Sequence, residues 1–151
     1  MEFSLRPMKM EDIPQVVDIE KASFPIPWSS YAFNCELRDN EFAFYLVATP
    51  VLDPAKVVGY GGMWIIIDEA HITNVAVSPE YRRRSLGELL MEGLSGLALS
   101  KNAFRMTLEV RASNLVAKNL YDKLGFKAAG IRPGYYVDTN EDAIIMWRNL
   151  I

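Results

Sequence analysis

The sequence contains one cysteine and one histidine in 151 residues, and these two scarcities narrow the chemistry before any motif is considered. Cys35 has no partner for an internal disulfide, so the chain suits a reducing compartment, expected to be the cytoplasm. As a side chain it reads as a small buried apolar residue rather than a nucleophile. With His71 as the sole imidazole, neither a His-based triad nor a His-rich metal centre is easily assembled, and no metal is expected. No apolar run approaches the length of a membrane span, and Met1–Arg6 lacks the basic-then-apolar order of a leader peptide. Excess positive charge is missing too: 16 Lys and Arg face 19 Asp and Glu, for a net charge of −3. That balance speaks against a general nucleic-acid binder. There is no repeat, low-complexity segment or linker-like tract, so residues 1–151 are expected to form a single domain with its own core, since 50% of them are apolar. The partners expected exclude nucleic acid and membrane, and the expected state is a monomer or weak homodimer.

The most informative stretch runs from Ile72 to Leu90. Ile72–Val77 is rich in β-branched residues and reads as a strand that Ser78 and Pro79 stop. Three arginines and a small residue follow. Then Leu86, Leu89, Leu90, Leu94, Leu97 and Ala98 recur at a spacing that gives one apolar helical face. The unit is strand, basic turn, helix. The first turn of a helix carries unpartnered N–H groups and the positive end of its dipole, so such a turn suits an anion, usually a phosphate. An ordinary strand-to-helix connection with solvated arginines is the alternative from this turn alone.

In chain order, Phe3–Arg6 reads as a strand and Met10–Glu20 as a helix burying Ile13, Val16, Val17 and Glu20. Phe24–Ser29 is an aromatic, proline-stiffened loop, either a binding lip or a plug over the core. Ser29 can cap a second helix to about Asp39. Phe42–Thr49 and Val57–Ile67 read as strands, with Gly59, Gly61 and Gly62 marking a bulge or close contact. Asp68-Glu69 turns into the strand His71–Val77. Beyond a helix ending near Lys101, Phe104–Val110 is a strand, and Ser113 caps a helix Asn114–Lys123 that Gly125 terminates. Phe126–Ile131 and Ala143–Leu150 complete the strands, with Pro133, Gly134 and Asp138–Asn140 in the connection. Strands interrupted by helices imply a mixed α/β (α+β type) fold, with a right-handed parallel crossover from His71 to Val110.

The order Arg82, Arg83, Arg84, Ser85, Leu86, Gly87 resembles the pyrophosphate turn of the GNAT superfamily of acyl-CoA-dependent N-acetyltransferases. In that pattern Gln or Arg is followed by two variable residues, Gly, one variable residue, and Gly or Ala. Ser85 stands where the first glycine belongs. A positive φ there suits glycine and is poorly tolerated by serine, whereas at a helical φ Ser85 would fit and its hydroxyl could reach a phosphate oxygen. A modest loss of cofactor affinity is the most that is expected. Leu108-Glu109-Val110-Arg111-Ala112-Ser113-Asn114, with Ala117, Leu120-Tyr121 and Leu124-Gly125-Phe126, resembles the second half of the GNAT core. More narrowly it resembles the RimI group, which acetylates the N-terminal alanine of a small-subunit ribosomal protein, and related archaeal enzymes. The Phe24–Ser29 loop, Tyr135-Tyr136 and Glu141–Met146 are similar to that group as well.

The resemblance implies a GNAT fold: a single mixed, mostly antiparallel sheet flanked by helices, with a central parallel crossover at the cofactor cleft. It implies acetyl-CoA as donor, the pantetheine arm along Val75, Ala76 and Val77, and the pyrophosphate held by Arg82, Arg83, Arg84, Ser85, Leu86, Gly87 and Glu88. Asn114 would hydrogen-bond the cofactor. Glu109 matches the family's general base and Tyr121 its general acid. Phe24, Trp28, Tyr135 and Tyr136 would wall the acceptor groove.

The chemistry needs such a pair on its own account. An α-amine has a pKa of about 7.7–8.0 and arrives largely as ammonium near neutral pH, so it must lose a proton before attack. A phenol with its ordinary pKa of about 10 is neutral at working pH and can protonate a departing thiolate. Taken singly, Glu109 could instead be paired with Arg111, and Tyr121 could be a core tyrosine with a satisfied hydroxyl. A GNAT enzyme for lysine, polyamine or another small amine, and a catalytically silent acyl-CoA-binding module, are the rival functions.

Overall fold

The computed structural model describes residues 1–151, and its strands all belong to one sheet. The elements are β1 (Phe3–Pro7), α1 (Ile13–Ser23), α2 (Ser30–Asp39), β2 (Ala43–Pro50), β3 (Gly59–Ile66), β4 (Glu69–Val77), α3 (Leu86–Ser100), β5 (Arg105–Arg111), α4 (Leu115–Lys123), β6 (Lys127–Tyr136) and β7 (Glu141–Asn149). The seven strands run in the order β1-β2-β3-β4-β5-β7-β6. Every neighbouring pair is antiparallel except β4 and β5, the two joined by the α3 crossover. That parallel pair is short. It is registered only from Glu69, Ala70 and His71 to Arg105, Met106 and Thr107. Further along, β4 stays paired to β3 as far as Val77 and β5 to β7 as far as Arg111, so the two strands part and leave a gap in the middle of the sheet.

Strand alternation sends successive side chains to opposite faces, and helices cover both. On one face α3 contributes Met91, Leu94 and Ala98 to a core with Met106, Leu108, Val110 and Phe126, against which Ala117, Tyr121 and Leu124 of the α4 region pack. On the other, α1 supplies Ile13, Val16, Val17 and Ile19 and α2 supplies Phe33, packed on Tyr45, Val47, Tyr60 and Ala76. Each fully buried leucine of α3, such as Leu90 and Leu94, contributes about 1.5–3 kcal/mol. Leu89 is 36% exposed and Met91 fully buried, so the helix face is rotated from the one the leucine pattern suggests. Gly62 sits at the β3–β4 bulge, directly under the Tyr45 ring.

Several boundaries differ from the sequence expectation for local reasons. Met10–Asp12 is a 3-10 turn, and α1 begins at Ile13 with Pro14 in its first turn, where a missing N–H is harmless. The cap of α4 is Asn114 and not Ser113: Asn114 Oδ1 accepts from Ala117 N at 3.1 Å, while the Ser113 N–H is taken by Glu141 Oε2 at 2.6 Å. Gly125, at φ +90°, terminates that helix as expected. Pro133 and Gly134 lie inside β6 and not in the connection. β6 is the outermost strand, where a residue lacking an N–H breaks no ladder, and the register slips between Arg132 and Tyr136. The turn into β4 falls on Ile67 and Asp68, with Ile67 at φ 58°. Cys35 is half-buried on α2, more exposed than its composition-based reading.

Candidate active site

The gap between β4 and β5 opens into a cleft of about 750 Å³ that the sheet, the α1–α2 loop, α4 and the end of β6 enclose. Of the residues singled out from sequence, Phe24, Trp28, Val75, Glu109, Asn114, Tyr121, Tyr135 and Tyr136 all line it. Ala76, Val77 and Arg82–Glu88 do not. They follow beyond it, at the C-terminal end of β4 and the start of α3.

Glu109 and Tyr121 reach the cleft from opposite faces of the sheet. On β5, Leu108 and Val110 point into the core under α3, so alternation turns Glu109 to the α1–α2 side. Tyr121 comes from α4 on the α3 side, its ring edge-on to Phe126 at 5.7 Å. The parted strands are what let the two share one space.

The Glu109 carboxylate is not paired with Arg111. Its Oε2 is hydrogen-bonded to His71 Nε2 at 2.6 Å, and its Oε1 lies 3.4 Å from Arg132 Nε. The hydrogen bond with His71 draws its pKa below the ordinary carboxylate value; burial opposes this, and the Arg132 charge adds to it. Arg111 is engaged elsewhere, bonding Asp138 at 2.9 Å and Thr139 at 3.3 Å and lying over the Tyr136 ring at 4.1 Å. It therefore braces the β6–β7 hairpin that carries Tyr135 and Tyr136. His71 does not itself line the cleft, and sequence reasoning picked out neither it nor Arg132 as a partner of Glu109. A lone histidine signals nothing by itself, and the one available hint was its position on the strand that leads to the basic turn.

Burial alone pushes the Tyr121 phenol up to about 12, with no hydrogen bond contributing. A core tyrosine with a satisfied hydroxyl does not describe it. Burial likewise raises Tyr136 to about 12. Asn114 spends its carbonyl oxygen on the helix cap, which leaves its Nδ2 as the free donor.

In the basic turn, Ser85 adopts φ 59°, ψ 23°, and Arg83 also has φ 65°. Ser85 thus takes the left-handed conformation that favours glycine, and its side chain makes no cap hydrogen bond. The helical alternative does not hold. The three arginines differ: Arg82 folds back to Val77 O at 3.1 Å and Ser23 Oγ at 3.2 Å, and Arg84 lies 5.3 Å over the Tyr81 ring. Arg83 makes no such contact. The first intrahelical bond, Leu89 N to Ser85 O, leaves the amides of Leu86, Gly87 and Glu88 free at the α3 terminus. No cluster of three or more His, Cys, Asp and Glu side chains is gathered to hold a metal ion, and no helix is long and apolar enough to cross a membrane.

Residues 13–126 match the acetyltransferase (GNAT) family. A Bacillus subtilis protein provisionally named as a ribosomal protein bS18 alanine N-acetyltransferase is 46% identical over 144 residues, covering 95% of this chain and 93% of that protein. The Escherichia coli ribosomal protein bS18 alanine N-acetyltransferase is 36% identical over 141 residues, 92% of each chain. The crystal structure of the Escherichia coli ribosomal-protein-S18-alanine N-acetyltransferase superposes with a TM-score of 0.88 at 33% identity, covering 99% of this chain and 94% of that one. Arabidopsis thaliana NAA60, solved in complex with acetyl-CoA, shares the fold at a TM-score of 0.87 and 17% identity, over 98% of both chains. With the family match spanning most of its length, and relatives of this identity along nearly all of it, the chain belongs to the GNAT family of acetyltransferases and is an N-acetyltransferase.

Proposed function

We propose that residues 1–151 act as one cytoplasmic domain that transfers acetyl from acetyl-CoA to the α-amine of a protein N-terminus. The N-terminal alanine of ribosomal protein bS18, which the relatives are named for, is the acceptor proposed. The observation that carries this reading is the pair Glu109 and Tyr121, bordering one cleft from opposite faces of the sheet beside a basic, glycine-type turn.

Acetyl-CoA supplies the acyl group as a thioester. Free amides of Leu86, Gly87 and Glu88 and the side chain of Arg83 suit its pyrophosphate, the open edge of β4 from Val75 to Val77 suits its extended arm, and Asn114 Nδ2 is a further donor. Phe24, Trp28, Tyr135 and Tyr136 bound the acceptor. Glu109, held ionised by His71 and Arg132, takes a proton from the arriving ammonium, directly or through water. The freed nitrogen lone pair then attacks the thioester carbon. A β4 N–H near Val77 steadies the charge that develops on the carbonyl oxygen. As the C–S bond breaks, Tyr121 gives its proton to the sulfur, and the amide nitrogen loses its surplus proton to solvent. A phenol near 12 is a weak acid for an ordinary thiol of pKa about 8.5, but the burial that raises the phenol raises the thiol as well.

Thiol release from acetyl-CoA tests this with a panel of peptides: one beginning with alanine, its N-terminally blocked copy, and a blocked peptide bearing lysine, with spermidine alongside. Turnover confined to the free α-amine is expected. Turnover on lysine or spermidine would move the assignment to another amine class. Binding of acetyl-CoA without any turnover would favour a silent module.

A further inference from the structure

Glu20 is only 2% exposed, although α1 carries it to the wall of the cleft, and no step proposed above uses it. Its carboxylate is engaged by donors from three other parts of the chain. Oε2 accepts from the backbone N–H of Trp28 at 2.8 Å, in the loop between α1 and α2. Oε1 accepts from the Tyr60 hydroxyl on β3 and, at 3.3 Å, from Asn74 Nδ2 on β4. Asn74 is oriented in turn, because Thr73 Oγ1 donates to its Oδ1 at 2.9 Å.

Burying a carboxylate is costly unless it is well paired, and an apolar residue would pack the same space without that cost. Here donors on two paired strands, Tyr60 of β3 and Asn74 of β4, converge with a backbone N–H of the α1–α2 loop on one carboxylate. The loop they fasten has no ladder or helix bonds of its own from Pro25 to Trp28, and its Trp28 ring rests on Phe33 at 5.4 Å. We infer that Glu20 is a positioning residue for the acceptor: it fixes the backbone of the Phe24–Trp28 wall and ties it, through Asn74, to β4 on one edge of the gap. The role rests on the proposed transfer to an α-amine.

Glu20→Gln keeps the shape but replaces one acceptor oxygen with a donor, so the three bonds cannot all survive. Amide exchange across residues 24–29 should quicken by about tenfold while β3 and β5 are unchanged, the loss expected for one charge-assisted hydrogen bond. The KM for an alanine-starting peptide should rise by about as much, with the acetyl-CoA Kd within about twofold of wild type. In a Trp28→Ala background the added effect of Glu20→Gln on KM should largely vanish, because both act through one wall. Unchanged loop exchange, an unchanged peptide KM, or full additivity with Trp28→Ala would each overturn the role. So would a fall in acetyl-CoA affinity in step with the KM change. Should Glu20→Gln fail to fold, Tyr60→Phe removes one donor and should give the same pattern at smaller size. If the wild type turned over no α-amine peptide, that failure would belong to the proposed reaction, and loop exchange would still decide whether Glu20 fastens the wall.

Discussion

His71 Nε2 and Glu109 Oε2 lie 2.6 Å apart just where β4 and β5 cease to pair. The two residues are 38 positions apart in the chain, and the parallel register, which pairs His71 with Thr107, brings them together. The carboxylate therefore stays ionised to lower pH than an ordinary glutamate, whose pKa is about 4.3.

Two consequences can be measured. Glu109→Gln should fold normally and lose about 10²–10⁴ in kcat, the usual share of a general base. His71→Ala should raise the Glu109 pKa, because the largest lowering influence is removed, so the acid limb of kcat/KM should move to higher pH. An acid limb that stays in place would separate His71 from the proposed base.

Tyr121→Phe removes a hydroxyl that no protein group hydrogen-bonds, so folding should be unaffected while kcat falls about 10²-fold or more. The phenol stays protonated up to about pH 12, so wild-type activity should show no alkaline loss attributable to it through pH 10. Wild-type turnover in Tyr121→Phe would end the proposed acid role.

Ser85→Gly removes a left-handed strain of about 1–2 kcal/mol from the turn. Acetyl-CoA should bind more tightly, by up to about fivefold if roughly 1 kcal/mol of that strain opposes binding. Calorimetry giving unchanged or weaker binding would mean that serine costs the site nothing.

Gly62→Ala tests the packing under the site. An added Cβ would fall 2.0 Å from Tyr45 Cε1, and the Tyr45 hydroxyl is tethered to Glu36 at 2.8 Å. Overpacking of this kind costs about 1–3 kcal/mol, and for a chain of this size each kcal/mol lowers Tm by about 2–4 °C. A Tm within 1 °C or so of wild type would show that the ring moves aside freely.

Much of this protein follows from local pattern. Apolar periodicity and β-branched runs locate most helices and strands, because secondary structure is chosen largely by which face can be buried and where Pro, Gly and capping residues interrupt it. The basic turn was legible as a strand, turn and helix, whereas Glu109, Tyr121 and the aromatic residues of the cleft stood out through the resemblance of their short motifs to the GNAT core. Fine boundaries were not: whether Ser113 or Asn114 caps α4 depends on Glu141 reaching the Ser113 amide, and whether Pro133 sits in a strand depends on β6 being an edge. Tertiary structure alone decided the rest. It sets the short pairing of β4 with β5, so that a glutamate and a tyrosine from opposite faces line one cleft, and it joins His71 to Glu109 and Glu20 to Trp28. Those relationships depend on strand register and on which face each residue turns to, and neither is fixed until distant segments pack.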